Sequence, residues 1–214
     1  MNTIAIVDYG MGNLHSIAKA FEHVVEDARV EVSQDPQTIK SADRVVFPGV
    51  GAVGHCMEEL QRLGLDAVLQ EVARNQPLLG VCLGMQALLD YSEESDGTTC
   101  LGLFAGEVRR FPASLTVPGT GERLKIPHMG WNEVHQYPHP LWQGIAQDSR
   151  FYFVHSYYAM PRQAEDAVGT TEYGLRFASV LARDNLFAVQ FHPEKSQAAG
   201  LRLLANFATW DGQG

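Results

Sequence analysis

The amino-acid sequence predicts an α/β fold with an open, mainly parallel sheet, helices on both faces and an antiparallel, β-rich insertion. The first observation is that short apolar strands alternate with helical stretches from the start of the chain to Asp90. Such alternation is typical of βαβ units built on a parallel sheet. The second is that short strand candidates and many turn residues replace this pattern between Gly102 and Arg183. One buried strand and one helix then follow, so we expect an insertion that interrupts an α/β core.

Four strands and the helices that connect them are predicted in the first part of the chain. The strands cover residues 3–7, 29–32, 44–47 and 77–81. The helices cover residues 14–25, a segment that begins at 35–36, residues 54–74 and residues 83–90. Pro36 follows Asp35 and is well placed for a first helical turn. The strands are short, unbroken apolar runs, as expected where helices cover both faces of a sheet.

The remaining elements belong to the insertion and to the end of the core. The polar stretch 93–99 is predicted to be a surface loop. Residues 151–154, 166–171 and 177–182 are predicted to be antiparallel strands, residues 186–191 a buried strand and residues 197–209 the final helix. Because the chain has 214 residues, we expect residues 1–214 to form a single domain.

Charge and hydropathy exclude several kinds of partner. The chain carries 16 Lys and Arg residues against 25 Asp and Glu residues, a net charge of −9, and has no clear basic cluster. Nucleic-acid phosphates require a basic face, so neither nucleic acid nor an anionic membrane is expected as a partner. No apolar run approaches the roughly 20 residues that span a bilayer. No basic segment of the secretory type opens the sequence, so we expect a cytoplasmic protein.

The sequence predicts neither a metal nor a cofactor. Its three cysteines form no CxxC pair, which argues against structural zinc and dithiol redox chemistry and fits a reducing compartment. The predicted helices contain no pair of histidines four residues apart, and no P-loop is present. Gly10 and Gly12 match half of a dinucleotide fingerprint, but His15 occupies the position of its third glycine.

Cys82 lies where a buried strand passes into a helix, in the segment Gly80-Val81-Cys82-Leu83-Gly84. The two glycines let the strand and the helix pass close together, while the middle side chain projects from a sharp turn. This arrangement is that of a nucleophile elbow, with sulfur in place of oxygen. The N–H groups at the helix start also favour a thiolate. We interpret Cys82 as a candidate nucleophile; a buried structural cysteine is the alternative.

His192 and Glu194 follow another buried strand, in the segment Phe191-His192-Pro193-Glu194. A histidine can deprotonate a thiol and then protonate a leaving group near neutral pH. A carboxylate two residues further on can orient the imidazole, as the third member of a triad. In isolation the segment fits a solvated strand end better than a catalytic site, but the elbow at Cys82 reverses that preference.

The loop Pro48-Gly49-Val50-Gly51 follows the third predicted strand. Its two glycines let backbone N–H groups approach a ligand. Together with the N–H of Leu83, this loop could therefore hold an oxyanion. Considered alone, it also fits a tight strand-to-helix turn. Sites in open parallel sheets form at the carboxyl ends of strands, where this loop, the elbow and the His-Pro-Glu segment are all predicted to lie.

Taken together, the elbow segment, its continuation to Gln86 and the His-Pro-Glu segment resemble the class I (triad) glutamine amidotransferases. Within that family the chain resembles in particular the glutaminase subunits of imidazole glycerol phosphate synthases. The narrower resemblance rests on segments that run in the family's order: Asp8-Tyr-Gly-Met-Gly-Asn-Leu-His-Ser16, Pro48-Gly-Val-Gly-Ala52, His128-Met-Gly-Trp-Asn132, Phe153-Val-His-Ser-Tyr157 and Phe191-His-Pro-Glu-Lys-Ser196.

The resemblance implies a role for each segment. Cys82 would attack the side-chain amide of L-glutamine and form a γ-glutamyl thioester, with His192 as acid and base and Glu194 as its orienting group. The implied oxyanion hole consists of Gly49, Val50, Gly51 and Leu83. The implied substrate contacts are Gln86, His155, Ser156 and Tyr157. The implied contacts with a partner subunit are Asn13, Trp131 and Asn132.

The implied partner is a cyclase subunit with a (β/α)8 barrel, joined to this chain as a heterodimer. The barrel would receive ammonia shielded from water and make imidazole glycerol phosphate in L-histidine biosynthesis. Because an uncoupled glutaminase would waste glutamine, we expect low activity of the chain alone. Three alternatives stay open: a glutaminase subunit of another synthase, a cysteine peptidase or esterase on a related α/β fold, and a non-catalytic binding module.

Overall fold

The computed structural model describes residues 2–117 and 119–213, so the predicted domain 1–214 includes three residues outside the described ones. The strands are β1 (Asn2–Val7), β2 (Ala28–Ser33), β3 (Arg44–Gly49), β4 (Leu78–Cys82), β5 (Tyr91–Ser92), β6 (Thr98–Thr99), β7 (Gly106–Arg110), β8 (His128–Glu133), β9 (His135–Gln136), β10 (Arg150–His155), β11 (Tyr157–Pro161), β12 (Ala167–Glu172), β13 (Arg176–Arg183) and β14 (Leu186–Val189). The α-helices are α1 (Leu14–Val24), α2 (Pro36–Ser41), α3 (Val53–Leu63), α4 (Leu65–Asn75), α5 (Leu83–Ala87) and α6 (Gln197–Thr209).

In the described residues, twelve strands form one sheet with the order β2-β1-β3-β4-β14-β13-β11-β7-β5-β6, which β12 and β9 extend from β13. Strands β2, β1, β3, β4 and β14 run parallel to one another. Strands β13, β11 and β7 continue the sheet in antiparallel fashion, and β8 and β10 form a separate antiparallel ribbon. The predicted α/β fold with an antiparallel insertion before the last strand and helix is thereby confirmed.

Helices cover both faces of the parallel half of the sheet. Helices α1 and α6 pack on the face that carries Ile4 and Ile6. Helices α2 to α5 pack on the face that carries Ala5 and Val7. These neighbours in β1 point to opposite faces because successive side chains of a strand alternate. Both faces are buried, which explains why the strand reads as an unbroken apolar run.

Three predicted elements differ from the structure. Residues 54–74 form two helices, because Gly64 between them adopts φ 68°, a left-handed conformation that glycine accepts without strain. The predicted helix 83–90 ends at Ala87, where the amides of Leu88 and Leu89 bond to carbonyls three residues back instead of four. The predicted loop 93–99 contains a 3-10 turn at Glu94–Asp96 and β6.

The insertion also holds more strands than its sequence pattern predicts. Strands β7, β8, β9 and β11 were not predicted, and β10 pairs with β8 outside the main sheet. Elsewhere the boundaries agree closely: the predicted helix start at residues 35–36 is α2, where Asp35 accepts a hydrogen bond of 2.8 Å from the Thr38 amide. A short polar capping interaction of this kind is local, so the sequence alone reveals it.

The carboxyl ends of β3, β4 and β14 meet at one edge of the sheet. Strand β4 lies between the other two, and Gly49 at the end of β3 lies opposite Cys82 at the end of β4. On the other side, Val189 lies opposite Val81. The loop after β3, the elbow after β4 and the His-Pro-Glu segment after β14 are therefore brought together.

Gly84 lies where α5 crosses β3. A Cβ atom there would overlap the carbonyl oxygen of Phe47, a backbone atom within the sheet. Neither the backbone of β3 nor that of α5 can withdraw easily. We therefore expect Gly84→Ala to lower the free energy of unfolding, measured by urea denaturation, by about 3 kcal/mol. Gly64→Ala is the control: its Cβ meets open space and only the left-handed backbone is strained, so about 1 kcal/mol is expected. Equal losses in the two variants would contradict the close approach.

Candidate active site

Cys82 lies on the turn between β4 and α5 with φ 56° and ψ −108°, outside the regions that residues with a side chain normally adopt. Such strain persists only where the surroundings hold it. Here β4 is wholly buried before the turn, and α5 starts directly after it at Leu83. The side chain of Cys82 is 7% exposed and lines a cavity. The structure thus contains the sharp strand-to-helix turn that the glycine spacing predicts.

His192 and Glu194 form a buried pair beside this turn. The Nδ1 of His192 lies 2.9 Å from Oε1 of Glu194, and their side chains are only 4% and 3% exposed. Because a carboxylate accepts, Nδ1 carries the proton and Nε2 is left free for a second partner. Nε2 has no hydrogen-bond partner of normal geometry among the described residues, and it is buried. A free, buried imidazole nitrogen beside a thiol is suited to proton transfer.

Opposing effects act on the pKa of His192. Burial lowers the pKa, but interactions with the nearby Cys82 sulfur and with the Glu194 carboxylate outweigh burial and raise it from 6.5 to about 10. The protonated imidazole is therefore stabilised between two acidic groups. A protonated His192 beside the Cys82 sulfur is suited to hand a proton to a leaving group during nucleophilic catalysis.

Backbone contacts hold His192 in place, and sequence reasoning missed them. The His192 amide donates to the Tyr152 carbonyl at 2.9 Å. The hydroxyl of Ser196 donates to the His192 carbonyl at 2.6 Å and accepts from the Tyr152 amide at 2.9 Å. The loop after β14 is thus tied to β10. The only local signal of these contacts was Ser196, which follows His192 by four residues.

The loop from Pro48 to Gly51 closes the other side of the turn. Val50 and Gly51 line the same cavity as Cys82, together with Leu83, and Gly49 lies behind them against His192 and Glu194. Tyr9 supports this loop: its buried hydroxyl donates to the Pro48 carbonyl at 3.0 Å. Burial raises the pKa of Tyr9, so the hydroxyl remains a donor. Tyr9 was not predicted, since its partner is far away in the sequence.

The cavity at this edge has a volume of about 340 Å³. This size is at the lower end of the range for small-molecule sites. Apart from the elbow, the loop and His192, its walls come from the insertion, from α5 and from the 3-10 turn at Glu94–Asp96. The lining residues are Val50, Gly51, Cys82, Leu83, Gln86, Glu94, Pro127, Val154, His155, Ser156, Tyr157 and His192.

Gln86 lies one helical turn after Cys82 and faces this cavity. Its Nε2 donates to the Tyr157 carbonyl at 3.0 Å and to Oε1 of Gln190 at 2.9 Å. Because a carbonyl only accepts, these contacts fix which end of the Gln86 amide is nitrogen. Gln190 then directs its own Nε2 toward the Cys82 sulfur, 3.8 Å away. Sequence reasoning missed Gln190; its signal was a lone polar residue in the predicted apolar strand 186–191, of which β14 forms only residues 186–189.

His155, Ser156 and Tyr157 line the cavity through the end of β10 and the start of β11. Both ring nitrogens of His155 are engaged: Nδ1 with the Tyr157 carbonyl at 2.7 Å and Nε2 with Nδ1 of His128 at 2.9 Å. The ring therefore has no free nitrogen for a ligand. Backbone groups of this segment and the side chains of Ser156 and Tyr157 remain to contact a molecule in the cavity.

The three residues predicted to face a partner subunit differ in their surroundings. Trp131 is 43% exposed and packs edge-to-face on Tyr152. Asn13 is exposed at the N-cap position of α1, yet its side chain makes no capping hydrogen bond. The side chain of Asn132 is bound internally, since Nδ2 donates to the Glu172 carbonyl at 2.9 Å. The side chains of Asn13 and Trp131 are thus available to a partner, whereas that of Asn132 is held by an internal hydrogen bond.

The other two cysteines of the described chain are poorly suited to act as nucleophiles. Cys56 and Cys100 are free thiols whose burial raises their pKa to about 12, so they form thiolates poorly. Within residues 2–117 and 119–213, no cluster of three or more His, Cys, Asp or Glu side chains is placed to hold a metal ion. A search of the same residues for a helix with the length and apolarity to cross a membrane finds none.

The fold and the cysteine elbow have their counterpart in a known family. The family model for class I glutamine amidotransferases matches residues 5–209, so the chain belongs to that family. The imidazole glycerol phosphate synthase subunit HisH of Methylococcus capsulatus is 58% identical to it over 213 residues, which cover 99% of this chain and 98% of that protein. Subunit HisH 1 of the same synthase in Pseudomonas aeruginosa is 57% identical over 214 residues, covering 100% and 99%.

Solved structures agree with the family assignment at the level of the fold. A crystal structure of a glutamine amidotransferase matches 96% of this chain and 99% of its own, with a TM-score of 0.69 and 15% identity. A glutamine amidotransferase of Thermotoga maritima matches 90% of this chain and 76% of its own, with a TM-score of 0.60 and 16% identity. At such low identities the likeness establishes the shared fold.

Proposed function

We propose that this chain is the glutaminase subunit of an imidazole glycerol phosphate synthase. It hydrolyses L-glutamine to glutamate and ammonia and passes the ammonia to a cyclase subunit in L-histidine biosynthesis. The observation that carries this proposal is the convergence of Cys82 and the buried His192–Glu194 pair on one cavity. The choice of synthase is supported by the full-length likeness to subunits of that name.

The reaction begins when the Cys82 sulfur attacks the side-chain amide carbon of glutamine. A C–S bond forms, and the carbonyl electrons move to the oxygen, which becomes an oxyanion. Backbone N–H groups of Leu83 and of the loop at Gly49, Val50 and Gly51 stabilise that charge. His192 then protonates the amide nitrogen, ammonia leaves and a γ-glutamyl thioester remains.

Hydrolysis of the thioester completes the cycle. His192, neutral after giving up its proton, takes a proton from water, and the resulting hydroxide attacks the thioester carbon. The C–S bond breaks, glutamate leaves and the thiolate is restored beside the imidazolium. Glu194 holds the Nδ1 proton throughout, so that Nε2 always faces the reacting atoms.

The far end of the cavity holds the amino-acid part of glutamine. Gln86 contributes its Oε1, because both hydrogens of its amide are engaged by Tyr157 and Gln190. That oxygen is suited to accept a hydrogen bond from a donor of the substrate. The backbone of His155, Ser156 and Tyr157 contacts the α-amino and α-carboxylate groups.

The cyclase subunit, a (β/α)8 barrel, docks at Asn13, Trp131 and Asn132. Asn13 lies beside Gly49 and His192 behind the catalytic turn, so a partner that touches it is also close to the oxyanion loop. Residues 1–214 form a single domain, and a single family match over residues 5–209 supports this. That domain is one subunit of the heterodimer. A cytoplasmic location is supported by three free thiols.

The test is glutamate release from glutamine by the chain alone and then with the cyclase barrel and its nucleotide ligand, the ribulosyl nucleotide that the barrel would convert into imidazole glycerol phosphate. We expect little release by the chain alone and a rise of at least about 10-fold with both additions, a coupling of ~1.4 kcal/mol or more. No rise with this barrel but a rise with the barrel of another synthase would assign the chain to that synthase. Hydrolysis of peptides or esters by the chain, without hydrolysis of glutamine, would overturn the proposal.

A further inference from the structure

A continuous line of hydrogen bonds joins the surface at Asn132 to the cavity, through side chains that the proposed mechanism does not use. Nδ2 of Asn132 lies 3.2 Å from Nε2 of His128, and Nδ1 of His128 lies 2.9 Å from Nε2 of His155. Nδ1 of His155 contacts the Tyr157 carbonyl at 2.7 Å. The same oxygen accepts from Gln86 at 3.0 Å. We call His128 and His155 the histidine relay.

The two ends of the histidine relay impose the same proton positions. The carbonyl of Tyr157 accepts only, so Nδ1 of His155 carries the proton and its Nε2 accepts from Nδ1 of His128. Nε2 of His128 therefore accepts as well. At the other end, the atom of Asn132 that faces Nε2 of His128 is a donor. It must be the amide nitrogen Nδ2, because the same atom donates to the Glu172 carbonyl at 2.9 Å. Every donor thus meets an acceptor with both rings neutral, and an added proton would break one of the contacts.

The relay is enclosed by aromatic rings. The ring of His128 stacks between Phe153 and Tyr173, with centroids 4.8 and 4.0 Å away. The His155 ring lies 5.3 Å from the ring of Phe111. Burial lowers the pKa of His128 to about 4 and that of His155 to about 3, so both stay neutral. A polar ring in such surroundings is costly unless it is hydrogen-bonded, whereas phenylalanine would pack there without that cost. The hydrogen bonds are thus what the imidazoles add.

The inner end of the relay lies on the wall of the cavity. His155 and Gln86 approach the carbonyl of Tyr157 from different elements, β10 and α5, and together fix the direction of that peptide group. The Gln86 amide in turn depends on this carbonyl and on Gln190 for its orientation. Removing the donor at His155 would leave the peptide with one partner. The Oε1 of Gln86 would then be less well directed.

We propose that His128 and His155 are positioning residues for the glutamine site, which fix the Tyr157 carbonyl and through it the amide of Gln86. This inference rests on the proposed function. Neither ring hydrogen-bonds to Cys82, His192 or Glu194 among the described contacts, so the relay acts on substrate binding and not on proton transfer. Its loss should therefore raise the KM for glutamine more than it lowers kcat.

The test compares variants in the full complex with the cyclase barrel and its nucleotide ligand. His128→Phe keeps the aromatic packing but removes the donor to Nε2 of His155, so that His155 is free to carry its proton on Nε2 and to lose its bond to the Tyr157 carbonyl. We therefore expect KM to rise about 5- to 10-fold, the effect of one lost hydrogen bond, with kcat within about 2-fold of wild type. His128→Gln restores one donor and one acceptor and should recover part of the KM. Tyr173→Phe is the matched control: its ring stacks on His128 but its hydroxyl bonds to the Lys125 carbonyl, outside the relay.

Two readouts do not depend on turnover. ¹⁵N NMR of the wild-type chain should show both relay histidines neutral with the proton on Nδ1, and the side-chain amide signal of Gln86 should move in His128→Phe. Protonation on Nε2, an unmoved Gln86 signal, or a KM equal to that of Tyr173→Phe would overturn the proposal. If the wild-type complex hydrolyses no glutamine, the proposed function fails, and the Gln86 signal alone decides on the relay. If His128→Phe does not fold, the wild-type proton positions decide.

Discussion

Replacing Cys82 by serine should abolish glutamate release by the complex, with a fall in kcat of about 10⁴-fold or more. Serine has nearly the same size and can adopt the same strained turn. Its hydroxyl, however, is a far weaker acid than a thiol, so it cannot form the anion that pairs with the His192 imidazolium. Glutamate production at saturating glutamine measures the effect. The free energy of unfolding should change by less than about 1 kcal/mol, which shows that the loss is chemical.

Cys100→Ser is the control for this variant. Burial raises the pKa of the Cys100 thiol to about 12, and Cys100 does not line the cavity, so this variant should keep wild-type activity.

Alkylation by iodoacetamide at neutral pH should stop activity with one label per chain, carried by the peptide that contains Cys82. More than about a hundredth of the wild-type rate in Cys82→Ser, a loss of under ~3 kcal/mol of transition-state stabilisation, would contradict its role as nucleophile.

Local patterns accounted for most of the fold and for the centre of the site. The strand-to-helix turn at Cys82 was predictable because its glycines, nucleophile and helix start all lie within five residues. The pairing of His192 with Glu194 was predictable for the same reason, since one residue separates them. Alternating apolar strands and helices then placed both segments at the same edge of the sheet.

The supporting residues could not be predicted in this way. Gln190 lies more than a hundred residues from Gln86 in the sequence, and Tyr9 lies 39 residues from Pro48. Such contacts depend on how the chain folds back on itself, and a lone polar residue in an apolar run has many possible partners. The break at Gly64 was missed for another reason: an isolated glycine is compatible with a continuous helix, and only the observed φ decides.

Conversion of Glu194 to glutamine should lower kcat by about 10²- to 10⁴-fold, because the variant keeps the shape of the side chain but loses its charge. The amide can still accept from Nδ1 of His192, yet the carboxylate that helps to raise the pKa of His192 to about 10 is gone. The pKa of His192 should therefore fall, and the alkaline limb of the rate profile should move to lower pH. Activity measured from pH 6 to 10 records this shift. Glu133→Gln, which loses only an exposed ion pair with Arg150, should leave the limb where it is.

The same substitution has a consequence for stability whose sign follows from the direction of the pKa shift. A histidine whose pKa rises on folding, here from 6.5 to about 10, stabilises the folded state fully below pH 6.5 and loses that contribution as the pH approaches 10. Glu194→Gln removes part of it. The difference in melting temperature between wild type and variant should thus be largest near pH 6.5 and shrink toward pH 10. A difference that stays constant or grows with pH would mean that the Glu194 carboxylate does not stabilise the imidazolium of His192.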